Sequence, residues 1–369
     1  MKKVIELRIG PKKQDRNKFF ESGKGTGMST FRLPLHRMKI RVRLSPSIGL
    51  TAIFCLFFLV ILGSGEKPLK KASFIPQWFP QAEFAGYYVA LDKGIYRKYG
   101  IDLTIIPGGA EQSSVDYLAS KKADFGGTWL STAIQKRAQG LKLINIGQII
   151  QRSALMLIVK ESSGIKTPQD MDGKKVGLWR GDFQLQPMAF FRKYNLKVKV
   201  IPQPFSTDYI DLFLMDALDV ATAMWYNEYH LILNAGLNRD ELSTFFFHDY
   251  GLNFPENGIY TLEETYRKDP DLCCAFVQAT IEGWKYCFDH HEEALDVVIR
   301  SMKELNLPTS RVHQRWMLER MIDIIQPLDK SVPLGTLLEE DYERVARTLK
   351  GNGLLKEVPP YAEFYKKCQ

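Results

Sequence analysis

The chain has 369 residues, 45% of them hydrophobic and 25% charged, with a formal net charge of +8; this is ordinary for a globular protein of about two domains. The charge is uneven: residues 1–43 hold thirteen Lys/Arg against three Asp/Glu, leaving 37 against 39 in the rest. A body that is nearly neutral removes the main electrostatic argument for nucleic-acid binding.

The leader has the parts of a targeting signal. A basic stretch at residues 36–43 precedes an uncharged run, residues 44–65, whose apolar heart is 48–63 and which exits through Gly63-Ser64-Gly65. Positive flank, apolar run and small-residue exit are the marks of a secretory signal peptide. The run is also long enough for an uncleaved anchor, and initiation at Met28 or Met38 would give a shorter leader. In both cases the body is expected in the periplasm or on the outer face of the cytoplasmic membrane, touching membrane only through this segment.

From residue 71 short β-rich runs alternate with helical ones. Strands are expected at 72–78, 101–106, 123–126 and 141–148, with helices at 85–99, 111–120 and 130–139. Strands spaced by helices of this length argue for parallel βαβ units. The pattern restarts with strands at 155–160, 175–179, 197–201 and 220–224 and helices at 183–194 and 209–218. Thr167-Pro168-Gln169-Asp170 has the N-cap and first-position proline of a helix start. Two further strands, 245–248 and 258–261, are expected to return to the first unit. Helices follow at 271–289, 293–305, 309–325 and 337–349, with Asp289-His290-His291-Glu292 as a capping box. Cys273, Cys274, Cys287 and Cys368 are too few for a disulfide scaffold and are expected to be small apolar core residues.

The segment Trp78-Phe79-Pro80-Gln81-Ala82-Glu83-Phe84-Ala85-Gly86-Tyr87-Tyr88, followed by Asp92-Lys93-Gly94-Ile95-Tyr96, resembles the opening of ABC-importer solute-binding proteins in the group of sulfonate receptors and thiamine-pyrimidine-synthase-like (NMT1-like) proteins. Ala123-Asp124-Phe125-Gly126, Gln151-Arg152-Ser153, Asp172-Gly173-Lys174-Lys175-Val176-Gly177 and Tyr226-Asn227-Glu228 extend the resemblance across residues 74–326. It implies an α/β, two-lobed type II periplasmic-binding-protein fold with a double-crossover hinge and a helical C-terminal extension. Lobe 1 then comprises residues 66–155 and 251–335, lobe 2 residues 156–250, and a helical tail 336–369, behind the leader at 1–65. The implied partners are a small molecule in the cleft, an ABC permease and its ATPase. A thiamine-precursor pyrimidine is the first expectation; riboflavin, sulfonate and nitrate are the alternatives.

Ligands of open α/β sheets collect at the carboxyl ends of strands, and the candidate ligand-binding residues are chosen there. Trp78, at the end of the first strand, offers an indole for stacking, worth about 1–3 kcal/mol by analogy with nucleic-acid bases; Gln81 offers an amide. One of Tyr87 and Tyr88 is expected to face the cleft and the other the core. Gly109 and Ser113 could present backbone N–H groups to an anion, although a bland turn is the stronger expectation. Thr128 and Trp129 are expected to open a helix at the cleft. Trp179 occupies the equivalent place in lobe 2, where Arg180 would favour an anionic ligand if it faced inward. Tyr226, Asn227 and Glu228 follow a strand, and a buried carboxylate there requires a partner such as an aminopyrimidine N–H.

No catalytic residue, metal ligand or cofactor is expected. The fungal synthases that the resemblance includes are the alternative. Their cofactor lysine and donated histidine fall in the segment matching residues 124–134, where this chain has Thr128 and Thr132. Without an amine no Schiff base forms. Their cysteine-rich metal motif has no counterpart around residues 250–258. The histidines of the body, His230, His248, His290, His291 and His313, show no metal-ligand spacing.

Overall fold

The computed structural model describes residues 68–205 and 208–368, so the expectations for the leader lie outside the described residues. The strands run in chain order as β1 (Lys70–Ile75), β2 (Ile101–Ile105), β3 (Phe125–Trp129), β4 (Leu143–Gln148), β5 (Leu155–Lys160), β6 (Lys175–Leu178), β7 (Lys199–Pro202), β8 (Val220–Met224), β9 (Leu242–Phe246) and β10 (Asn257–Leu262). They form two five-stranded sheets, in the orders β2-β1-β3-β10-β4 and β7-β6-β8-β5-β9. Parallel pairing holds where βαβ units were expected, β1 with β2 and β3, and β6 with β7 and β8. Each sheet is completed by antiparallel partners, β10 in the first and β5 in the second.

The chain leaves the first sheet after Gln148, enters the second at Leu155, leaves it at Phe246 and returns at Asn257. One expectation is corrected here. The strand expected at 245–248 is β9, and it does not return to the first unit: Met156 to Lys160 of β5 pair with Phe246 to Leu242. Only β10 makes the return, after a 3-10 turn at Phe247–Tyr250 that ends at Gly251 with φ 68°. The helix expected over 85–99 is also divided. Gly94, at φ 67°, separates Ala85–Asp92 from the turn Ile95–Lys98, a conformation that only glycine adopts freely.

The first lobe is held by an aromatic core and one close helix crossing. Phe276, on the long helix Pro270–Asp289, stacks on Phe125 with centroids 4.2 Å apart and on Tyr96 at 5.3 Å. Gly283 of that helix lies against Gly86 of Ala85–Asp92: a Cβ at Gly283 would sit 2.2 Å from the Gly86 carbonyl oxygen. Asp269, not a residue inside the helix, caps Pro270–Asp289 by accepting the Leu272 N–H at 3.0 Å, with Pro270 in the first turn. The Thr167 start is confirmed as a capping box, but it opens only a 3-10 turn, Pro168–Met171.

Two further expectations fail in the C-terminal region. The box at Asp289–Glu292 does not form; His290 is the N-cap without a side-chain bond, because Glu292 turns to Arg311 and Arg315 of the helix Arg311–Ile325. Cys273 and Cys287 are buried free thiols, but Cys274 is bonded to Cys368, 94 residues away, with Cα atoms 4.6 Å apart. Among the described residues no helix is long and apolar enough to cross a membrane.

Candidate functional site

Between the two sheets lies a cavity of about 160 Å³, lined from the first lobe by Gln77, Trp78, Gln81, Glu83 and Trp129. The second lobe contributes Trp179, Phe183, Phe205, Tyr209, Met224, Tyr226, Asn227, Glu228 and Leu231. The strands aim these residues. Trp78 and Gln81 follow the end of β1, Trp129 is the last residue of β3, Trp179 follows β6, and Tyr226–Glu228 follow β8.

The upper part is an aromatic box closed across the lobes. Trp129 meets Phe183 at 4.5 Å and Trp78 meets Phe205 at 6.4 Å, both pairs joining one lobe to the other. Phe205 stacks parallel to Trp179 at 6.2 Å, and Phe183 stands edge-on to both. Trp179 is fixed by its indole N–H, which donates to the Pro204 carbonyl at 2.9 Å. At the same boundary Thr132 and Gln135 of the helix Leu130–Ala138 donate to the Asp182 carboxylate of the other lobe. The lobes are therefore closed on each other, the usual state of a hinged receptor around its ligand.

The lower part is polar and acidic. Glu83 accepts from Gln81 Nε2 at 2.7 Å and Asn257 Nδ2 at 2.7 Å, and bonds the Tyr226 hydroxyl. Glu228 accepts from the Met224 N–H at 3.0 Å and from Asn227 Nδ2 at 2.8 Å. Burial pushes both carboxyls up to about 7, and the charge of Glu228 adds to the rise at Glu83. Glu256, behind them on the return crossover, is pushed up to about 8 by burial; it accepts from the Ala154 N–H at 2.6 Å and so joins the two crossovers. None of the described residues lining the cavity is Lys, Arg or His. Among the described residues, Gln77 Oε1 and the Tyr209 hydroxyl are buried at the cavity without a hydrogen-bond partner, a cost that a ligand could remove.

Seven of the residues chosen from sequence are brought together here: Trp78, Gln81, Trp129, Trp179, Tyr226, Asn227 and Glu228. The other five lie elsewhere. Tyr87 and Tyr88 are both buried in the core of the first lobe, Tyr87 stacked on Phe74 at 4.4 Å. Gly109 is covered by the Phe79 ring, which a Cβ would meet at 2.7 Å. Ser113 caps the short helix Ser114–Ala119 by accepting the Asp116 N–H. Thr128 belongs to β3 and not to a helix start; with strand alternation its neighbour Trp129 takes the cavity side. Arg180 is exposed and outside the lining.

Glu83, Gln77, Phe183, Phe205 and Tyr209 were not singled out from sequence. Glu83 carried a signal, as the lone charge in the otherwise apolar run 82–90. Phe183, Phe205 and Tyr209 begin or precede helices, where an aromatic residue is as readily core as cleft.

Over 331 residues the chain is 20% identical to the formylaminopyrimidine-binding protein of Halalkalibacterium halodurans, covering 86% of this chain and 96% of that protein. It is 21% identical over 253 residues to the 4-amino-5-hydroxymethyl-2-methylpyrimidine phosphate synthase of Legionella pneumophila, covering 64% of this chain and 76% of that enzyme. The periplasmic aliphatic sulphonate binding protein SsuA from Escherichia coli superposes with a TM-score of 0.60 at 16% identity, over 81% of this chain and 97% of that one. The two-lobed architecture is thus the periplasmic-binding-protein fold. Residues 81–294, more than half of the chain, match the family described as NMT1/THI5 like, and the chain belongs to that family.

Proposed function

We propose that this protein is the extracytoplasmic solute-binding component of an ABC importer, and that its lobes close on a single-ring aminopyrimidine of the thiamine-precursor type. The observation that carries this reading is the pairing, in one cavity between the lobes, of an aromatic box with two buried carboxyls and no lining cation. A planar heterocycle is held by stacking in such a box, and its N–H groups meet the acids that burial otherwise penalises.

The same chemistry argues against the alternatives. A sulfonate or nitrate entering this cavity would face Glu83 and Glu228 with no basic residue in the lining, a like-charge arrangement in low dielectric. The volume of about 160 Å³ is close to the roughly 150 Å³ of an engineered cavity that takes benzene. One six-membered ring suits it, whereas a tricyclic flavin needs the lobes held further apart. A binding role without catalysis is part of the proposal. Thr128 stands outside the lining, and Thr132 is engaged with Asp182, so neither offers the amine or imidazole that the synthase chemistry uses.

Titration calorimetry with 4-amino-5-hydroxymethyl-2-methylpyrimidine tests this directly. Stoichiometric binding is expected, and Trp78→Ala should weaken it by about 1–3 kcal/mol through lost stacking. Binding of taurine or nitrate in preference to the pyrimidine would overturn the proposal.

A further inference from the structure

The helix Arg311–Ile325 touches both carboxylate-bearing elements from behind the cavity. Gln314 Oε1 accepts the Ala82 N–H at 2.7 Å, at the start of the turn that carries Glu83. His313, its neighbour, reaches the other lobe: Nε2 lies 2.8 Å from Asn227 Oδ1, and Nδ1 lies 2.9 Å from His230 Nδ1.

Donor and acceptor roles along this chain are determined from its end. The Asn227 amide nitrogen lies 2.8 Å from Glu228 Oε1 and donates to it. The opposite end of that amide then only accepts, and His313 must carry its proton on Nε2. A neutral His313 leaves Nδ1 as an acceptor, so His230 donates from its own Nδ1. Asn234 Nδ2 lies 3.4 Å from the same His230 nitrogen, beyond the usual hydrogen-bond length, and leaves that assignment unchanged.

The surroundings support neutral rings. Burial, followed by the charge of His230, pushes His313 down to about 4, while burial and Arg239 lower His230. His230 stacks on Trp316 at 5.0 Å, and that indole also carries Arg239 at 5.0 Å and Arg320 at 4.8 Å. Arg320 is paired with Asp323 and Glu319. Glu228, reached through Asn227, is the acid at the far end of the chain.

We propose that His313, which does not touch the cavity, is a positioning residue: by fixing the Asn227 amide with its NH₂ toward Glu228, it keeps both Glu228 oxygens as acceptors and selects ligands presenting two adjacent N–H donors. This deepens the proposed function and rests on it. A 4-aminopyrimidine with the proton on N3, the ring nitrogen beside the amino group, has the two adjacent donors; the matching 4-oxopyrimidine replaces one with a carbonyl. A site built around such bonds rejects the mismatched analogue because a buried polar group is left facing another acceptor.

The test compares the affinity of the wild-type protein for 4-amino-5-hydroxymethyl-2-methylpyrimidine with that for its 4-oxo analogue. A preference of about tenfold or more is expected. His313→Leu should reduce that preference at least threefold, and His313→Gln should restore it, since the glutamine amide can donate to Asn227 where leucine cannot. Equal preference in wild type and His313→Leu overturns the inference. A second arm needs no ligand: ¹⁵N NMR of the imidazoles in the ligand-free protein should show His313 neutral with its proton on Nε2 at pH 8, where Glu228 is ionised. The Nδ1–H tautomer, or a cationic ring at that pH, overturns it. If the wild type binds no aminopyrimidine at all, the proposed function fails while the tautomer still decides this inference.

Discussion

Glu228→Ala is expected to weaken aminopyrimidine binding by about 2–5 kcal/mol, the usual cost of truncating one partner of a buried, hydrogen-bonded charged contact. The direction of the pH dependence follows from the same group. Burial raises Glu228 to about 7 in the ligand-free protein, and Glu83 beside it is raised to a similar level. The complex with a pyrimidine ring nitrogen needs one proton between that nitrogen and the carboxyl, or two lone pairs face each other. As pH rises above the value of about 7 that Glu228 has in the ligand-free protein, and above that of the free ring nitrogen, that proton must be taken from solution on binding. Affinity should therefore fall roughly tenfold for each pH unit above about 8. Glu228→Gln removes the titrating group and should flatten this slope, whatever it does to affinity at pH 7. Calorimetry at pH 7, 8 and 9 on both proteins reads the effect. A wild-type affinity independent of pH would show that Glu228 does not meet the ring nitrogen.

Breaking the Cys274–Cys368 bond should lower the stability of the folded chain by about 2–4 kcal/mol. The bond closes a 94-residue separation, and long loops gain most from closure in the chain-entropy view. It fastens the end of the chain to the long helix beside which Gln278 donates to the Cys368 carbonyl at 3.3 Å. The preceding residues lie along β4, where the Lys366 N–H donates to the Asn145 carbonyl at 2.9 Å. Thermal unfolding with and without a thiol reductant should therefore differ in the wild type and coincide in Cys368→Ser. A reductant-insensitive wild type would contradict the bond. A bond of this kind persists in oxidising compartments, which agrees with a body lying outside the cytoplasmic membrane.

The legible parts of this fold were those fixed by local pattern. β5, five apolar residues ending at Lys160, and β8, interrupted only by Thr222, occur over the residues expected, because central strands buried on both faces read as nearly continuous hydrophobic segments. Tyr226-Asn227-Glu228 is assigned to the cleft from its place after β8, its part in the family resemblance and the need of a buried carboxylate for a partner. What sequence could not supply was long-range pairing. Nothing local distinguishes β9, which pairs with β5, from a strand returning to the first sheet. Cys274 and Cys368 become neighbours only through the packing of the tail. One of Tyr87 and Tyr88 was expected at the cleft and the other in the core, and the fold places both against the first-lobe core. Trp129 reached the cavity where a strand meets a helix, as expected: it ends β3 and is the N-cap of Leu130–Ala138. Glu83 was inconspicuous because its environment is assembled from Gln81, Tyr226 and Asn257, brought in from both lobes and from the return strand.

The most direct test of the central claim is the melting temperature of the purified protein with a panel of 4-amino-5-hydroxymethyl-2-methylpyrimidine, riboflavin, taurine and nitrate at pH 7. A ligand at a hundred times its dissociation constant adds about 2.7 kcal/mol of stability, a plain upward shift. That shift is expected with the aminopyrimidine and none with taurine or nitrate; a shift with the anions and none with the pyrimidine would overturn the proposed function.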